Sequence, residues 1–267
     1  MLWVMGLILA VIIAGGILLW YAASVETSQV FGPALVRGPQ GGNCVALTFD
    51  DGPSPATGKI LDLLGERQIR ATFFFCGMNV ERHPEIVRRA AAEGHTLGNH
   101  TYSHPFVYLL GRQRFAEEID RTQDAIERLT GRRPKLFRPP YGARWFGMFS
   151  LLRERGLTAV QWSDTGYDWQ NDQAAIARAT LEKIQPGSII LLHDALEGTE
   201  SFWAQLRRRV SGSVGEAQPA PSPRADRSAT VAALPAILDG AARAGLRFVS
   251  VEEFLPLRRP MLGVRED

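Results

Sequence analysis

Two carboxylates stand side by side, Asp50 and Asp51, in the run TFDDGPSP (residues 48–55), where a short apolar stretch meets a turn signal. On a continuing strand, neighbouring side chains point to opposite faces, so one acid would be hidden at considerable cost. At a strand's end each acid is free to take a different partner. Fifty residues on, HTYSH places His100 and His104 four positions apart, close enough for both imidazoles to reach one metal ion. That spacing alone also fits two surface histidines. With Asp51 supplied from a neighbouring strand end, the set becomes His, His and carboxylate, which leaves positions open for water and substrate. Further along lie Arg138 and Tyr141 in RPPYG, Asp168 in SDTGYDW and His193 in LLHD. Arg138 alone could be a structural ion-pair partner, and His193 at the end of an apolar strand a satisfied core histidine. Asp168 nearby gives His193 the carboxylate that a catalytic acid wants.

These residues need elements that bring them together. VALTF (45–49) and ATFFF (71–75) read as strands, with a helix carrying Ile60, Leu61, Leu63 and Leu64 between them. The alternation continues with strands near 96–98, 135–137, 158–162, 188–192 and 247–251. Helices are expected after Pro84, from about Gln113 to Leu129, near 145–155, near 172–184, and in TVAALPAILDGAARAG before the last strand. Strands that alternate with helices predict a parallel sheet. Seven strands, most followed by a helix, suit a closed or nearly closed barrel at least as well as an open doubly wound sheet, and the fold class is read as α/β, a distorted (β/α) barrel of seven parallel strands. In such a barrel the C-terminal strand ends share one rim, and the reactive residues all fall at those ends.

Upstream, Leu2–Ser24 carries no charge and is long enough to span a bilayer, for which about 20 apolar residues suffice. Residues 1–25 are read as a transmembrane anchor, with a signal peptide as the competing reading because Ala22 and Ser24 are small. The apolar run exceeds a signal peptide's usual 7 to 15 residues, roughly, and no basic residue precedes it. Residues 26–42 read as a linker, 43–257 as one catalytic domain and 258–267 as a tail. Ser211–Ala229, rich in Pro, Ser, Ala and Gly, reads as a surface insertion, with Phe202 and Trp203 beside a basic stretch just before it. A net charge of +2 gives no ground for a nucleic-acid partner. Cys44 and Cys76 fall near opposite ends of neighbouring strands, about 15 to 20 Å apart at about 3.3 Å per residue, which argues against a disulfide. Both read as small buried apolar residues.

TFDDGP, HTYSH, RPPYG, the DW of SDTGYDW, and LLHD, in that order, resemble the five motifs of the polysaccharide deacetylases, carbohydrate esterase family four with its NodB-type domain. The resemblance runs from about Cys44 to Phe248. It implies that Asp51, His100 and His104 hold a divalent metal, usually Zn2+, with Co2+, Ni2+ or Mn2+ as alternatives. It implies Asp50 as the general base, His193 as the general acid, Arg138 as the partner orienting Asp50, and Asp168 as the partner orienting His193. The backbone N–H of Tyr141 would stabilise an oxyanion, and Trp169, Leu191, Pro140 and Tyr141 would line the substrate. His95, Asn99 and Asp194 are assigned to scaffold and cap roles. One departure is visible: the family's fourth motif is commonly DxxDW, and Thr165 stands where its first acid would be.

The resemblance implies a metal-dependent hydrolase removing N-acetyl groups from N-acetylglucosamine-containing glycans, peptidoglycan or chitin-like. An acetyl ester hydrolase on a polysaccharide such as acetylxylan is one alternative, and a silent membrane-tethered glycan-binding module another. Such substrates place the domain outside the cytoplasm, anchored through the N-terminal helix or secreted if that helix is cleaved.

Overall fold

The computed structural model describes residues 2–195 and 227–255. Most of the expected insertion, the Phe202 and Trp203 patch, and the tail from 258 lie outside the described residues. The elements in chain order are α1 (Leu2–Ser24), β1 (Cys44–Asp50), α2 (Pro55–Glu66), β2 (Thr72–Phe75), α3 (Gly77–Arg82), α4 (Pro84–Ala92), β3 (Thr96–Asn99), α5 (Arg112–Thr130), β4 (Leu136–Phe137), α6 (Met148–Glu154), β5 (Thr158–Ala159), β6 (Asp164–Thr165), α7 (Gln173–Leu181) and β7 (Ile189–His193). The last two are α8 (Ser228–Arg243) and β8 (Arg247–Val249).

Every strand pairing is parallel, in the order β5-β4-β3-β2-β1-β7-β6, with β8 also on β1. The strand expected at 158–162 is divided. Its first part, β5, pairs with β4, and the chain a few residues on, β6, pairs with β7 at the other end of the row. One stretch thus holds both edges and curls the sheet, which is the expected distorted barrel of seven parallel segments with one segment split.

Strand alternation sorts the side chains. Leu47 and Phe49 of β1, Phe73 and Phe75 of β2, and Ile190 and Leu192 of β7 join Ile60, Leu61, Leu64, Val87, Leu234 and Ile237 in the core between sheet and helices. The alternate positions form another set: Ala46, Phe74 and Ile189 pack with Leu136 and Val160. Thr48, Asp50, Leu191 and His193 continue that second face, because Thr48 pairs with Leu191 and Asp50 with His193 in the register of β1 and β7. Burying each large apolar side chain contributes about 1.5–3 kcal/mol. The core thereby holds the polar ends of β1 and β7 at one level.

Local signals set the helix starts. Ser54 caps α2 and accepts from Ala56 N, with Pro55 at the first helical position and Thr57 completing a reciprocal cap. Gly131, in the left-handed conformation at φ 69°, ends α5. Helix α3 was not expected from the sequence. Both cysteines are free, Cys76 buried and Cys44 only partly so. The second fact corrects the expectation of two buried residues: Cys44 is the first residue of β1, and its sulfur accepts from Arg247.

Helix α1 is long and apolar enough to cross a membrane by length and composition. Part of the stretch read as a linker is fastened to the sheet. Leu35 bonds both Ala159 and Gln161 through its backbone, and Arg37 reaches Asp164 and Ser188.

Candidate active site

Asp50 is the last residue of β1, and its side chain follows the inward face it shares with Thr48. Arg138, just beyond β4, is fully buried and donates from one terminal nitrogen to Asp50 Oδ1 at 2.7 Å and to Thr48 Oγ1 at 2.8 Å. Its other terminal nitrogen donates to the Gln161 carbonyl at 2.9 Å, and the guanidinium lies over the Phe74 ring. Burial pulls the Arg138 pKa down, and Asp50 works against it. A buried cation of this kind needs its anion, and one oxygen of Asp50 is thereby committed.

Asp51 leaves the strand. Its φ of 77° lies in the left-handed region, which a non-glycine residue enters at a cost of about 1–2 kcal/mol. This turn, rather than simple strand alternation, separates the two acids. Asp51 Oδ1 comes 3.4 Å from His100 Nε2 and 3.2 Å from His104 Nε2. That oxygen is buried with no hydrogen-bond partner among the described residues. Burial pushes the Asp51 carboxyl up, but His104, His100 and His193 together hold it well below the usual carboxylate range.

His100 is placed by β3 and by a bond from its own N–H to Phe75 O. Its Nδ1 lies 2.7 Å from the Arg138 carbonyl. A carbonyl can only accept, so Nδ1 carries a proton and Nε2 is the nitrogen that faces Asp51. His104 also has a left-handed backbone, φ 53°, and packs against the Tyr141 ring edge at 4.6 Å. Burial lowers its pKa to about 4 against the pull of Asp51, so it is neutral near pH 7. The ligand atoms of Asp51, His100 and His104 all lie within 4.8 Å of one another. Two imidazole nitrogens converging on a carboxylate whose buried oxygen has no hydrogen-bond partner among the described residues suit a divalent cation with open positions.

The loop carrying the two histidines is held by residues that the sequence reading passed over. Glu118 of α5 accepts from Tyr102 N, Ser103 N and Ser103 Oγ at 2.9, 2.7 and 2.8 Å. The first N–H groups of α3, Gly77 and Met78, donate to the carbonyls of Thr101 and Tyr102. Asn79 of α3 donates to the Asp51 carbonyl at 2.7 Å. The family of signals that could have marked Glu118 is weak, since an acid at an exposed-looking position of an amphipathic helix is commonplace.

His193 ends β7 opposite Asp50. Its backbone N–H donates to Asp168 Oδ2 at 2.8 Å, and its Nδ1 meets Asp168 Oδ1 at 2.8 Å. Burial pushes the His193 pKa down, but the Asp168 charge and hydrogen bond outweigh it and the net direction is up. Asp168 moves the other way: burial raises it, and His193 more than compensates. Thr165, at the position of the departure from DxxDW, donates to Leu191 O and accepts from Tyr167 N, so its hydroxyl braces the turn. Support for Asp168 comes instead from α8, where Thr230 Oγ1 donates to Oδ2 at 2.8 Å, and from Arg227 beside it.

Trp169 stands edge-on to His193 with its ring centroid 5.3 Å away and is partly exposed. Leu191 is buried two residues before His193, on the same strand face. Pro140 is buried, while Tyr141 is exposed and stacks on Phe106 at 4.1 Å. The scaffold residues also have their places. His95 Nδ1 accepts from Ala71 N, and Asn99 bonds Ile119 O and Thr101 N. Asp194 accepts from Gly52 N and the Thr57 hydroxyl, tying the start of α2 to the end of β7. Burial, with Asp51 and Asp50 adding to it, pushes the Asp194 pKa up to about 7 despite those bonds. Gly52 has no room for a side chain: a Cβ there would meet Asp194 Oδ2 at 2.3 Å.

The model of the polysaccharide deacetylase family matches residues 37–160. A peptidoglycan-N-acetylglucosamine deacetylase of Bacillus cereus is 34% identical over 221 residues, which cover 81% of this chain and 90% of the relative. The chain belongs to the polysaccharide deacetylase family. A second Bacillus cereus deacetylase of the same description is 42% identical over 163 residues, 60% of this chain and 59% of that relative's length. The chain therefore matches under two thirds of this longer deacetylase. Among solved structures, the Bc1960 peptidoglycan N-acetylglucosamine deacetylase superposes with a TM-score of 0.70 at 34% identity, covering 82% of this chain and 91% of that one.

Proposed function

We propose that the protein removes N-acetyl groups from N-acetylglucosamine-containing glycan of the cell envelope, peptidoglycan or a chitin-like oligomer. The observation that carries this reading is the separation of two adjacent acids: Asp51 Oδ1 faces two imidazole nitrogens, while Asp50 Oδ1 is bonded to Arg138. Asp51, His100 and His104 would hold a divalent metal, with Zn2+ the first candidate, and such a metal supplies Lewis acidity at the acetyl carbonyl.

Asp50, fixed by Arg138, takes the proton of the attacking water. Its second oxygen is 3.8 Å from His100 Nε2, beside the metal ligands and turned away from Arg138. His193, from the opposite strand at the same level, gives a proton to the departing amine, which leaves poorly without one. Asp168 keeps that imidazole protonated and oriented with Nε2 outward. The Tyr141 backbone N–H donates to the developing oxyanion, and its left-handed φ of 58° is part of the turn that presents it. Trp169 and Leu191 bound the space for the acetyl methyl, with Pro140 shaping the opposite wall. Helix α1 anchors the chain in the membrane, with the catalytic domain outside the cytoplasm.

The test is acetate release by the full chain in detergent on peptidoglycan, chitooligosaccharide and acetylxylan, before and after chelation and zinc replacement. The reading expects release from the N-acetylated substrates, loss with chelator and recovery with zinc. No release from any of the three by zinc-replenished protein would overturn it, and release from acetylxylan alone would favour ester hydrolysis.

A further inference from the structure

Arg144 is 1% exposed; burial lowers its pKa against the attraction of Tyr108, Glu26 and Tyr21, and its hydrogen bonds do not go to a carboxylate among the described residues. Its guanidinium donates instead to backbone carbonyls of the segment just after α1: Glu26 O at 3.1 Å, Ser28 O at 2.6 Å, and Val25 O. Its own backbone N–H donates to Ala23 O at 3.1 Å, an oxygen that also accepts from Tyr108 Oη at 3.0 Å. Ala23 belongs to the last turn of α1, whose final carbonyls have no partner within the helix and carry the negative end of its dipole. That turn contains no basic residue of its own. The domain supplies the cation.

We propose that Arg144 is a receptor for the membrane-proximal end of α1, joining anchor and catalytic domain into one body. The pocket rim then sits at a set height and orientation above the bilayer instead of sweeping on a tether. Three observations carry the inference together. Stripping the segment away would break every hydrogen bond the guanidinium makes to backbone carbonyls of residues 25–28. The docking is not confined to one side chain, since Ala22 and Ser28 are also buried, at 1% and 3% exposed. Downstream the chain is caught again by the bonds of Leu35 to the Ala159–Gln161 stretch and by Arg37 on Asp164, which leaves no long free linker between α1 and β1. Arg144 is also three residues from Tyr141, so the clamp and the rim share one short turn.

The inference rests on reading α1 as a retained anchor, and its test reads no activity, so its failure is separable from failure of the deacetylase reading. The full chain is placed in lipid nanodiscs, and amide hydrogen exchange is followed at residues 25–28 and at Arg144. The expected result is protection of these amides, lost at least ten-fold in Arg144→Gln while the β1 amides keep theirs. Tyr108→Phe, which removes only one bond to Ala23, is expected to raise exchange at 25–28 by a smaller factor and serves if Arg144→Gln does not fold. Exchange at 25–28 at the rate of an unstructured chain in the unaltered protein would overturn the proposal. So would full protection retained in a folded Arg144→Gln, or, where that variant does not fold, no rise in Tyr108→Phe.

Discussion

Asp168 grips His193 twice, with one carboxylate oxygen on the backbone N–H and the other on Nδ1, each at 2.8 Å. The second contact raises the His193 pKa and lowers that of Asp168. A general acid works only while protonated, so the basic limb of the kcat profile lies at the raised value of His193. Asp168→Asn is expected to move that limb to lower pH and to cut kcat by about 10²–10⁴. The same pair contributes to stability. The share from His193, raised on folding, is complete below its unfolded value and fades as pH rises through the folded one. The share from Asp168, lowered on folding, is present above its unfolded value and is lost as pH falls through its folded one. Melting temperature against pH should therefore show the greatest deficit of Asp168→Asn between those limits. A constant deficit at every pH would contradict this account.

Arg138 and Asp50 form a buried pair at 2.7 Å, with side chains 0% and 4% exposed. Removing one partner strands the other, at a cost of about 3–5 kcal/mol. Arg138→Met should lower stability by about that amount in a denaturant titration. Asp50→Asn/Arg138→Met should lose less than the sum of the single changes, because neither charge is left alone. Strict additivity would mean that the ion pair contributes nothing beyond packing.

Glu118 organises the histidine loop through three hydrogen bonds while standing outside the metal-ligand set. Glu118→Ala should weaken metal affinity about 10–100-fold, the range for residues that position ligands. Competition against a chromophoric chelator measures it. Unchanged affinity in a folded variant would show that Gly77 and Met78 of α3 suffice to hold the loop.

How much of this could be read beforehand differs by kind of feature. The parallel sheet followed from apolar runs alternating with helical stripes, and Asp50, His100, Arg138 and His193 fell at strand ends because turn signals close those runs; that the sheet curls instead of staying open did not follow from the alternation. What patterning cannot give is backbone of positive φ at Asp51, His104 and Tyr141. Asp and His enter that region more often than other non-glycine residues, but too seldom for the sequence to mark these positions. The same holds for support from distant parts of the chain. Thr230 reaches Asp168 across 62 positions and Arg144 grips residues more than 100 positions away, contacts that only the closed fold creates. Helix α3 was missed for another reason: at six residues it is too short to show a helical period.

The division of labour between Asp50 and Asp51 gives the sharpest remaining test. Asp51→Asn removes a charge that the two imidazoles face and should abolish tight metal binding, read as metal per protein after gel filtration. Asp50→Asn leaves Asp51, His100 and His104 in place and should keep metal near the unaltered ratio while turnover falls by about 10²–10⁴. The buried carboxylate of Asp50 also balances Arg138, so the Asn variant should show a lower melting temperature even with metal bound. Gly52 and Asp194 fix the backbone directly after Asp51, and neither change touches their bond of 2.9 Å. If both variants lost metal equally while still folded, the two acids would be sharing one ion, and the assignment of Asp50 as base would fail.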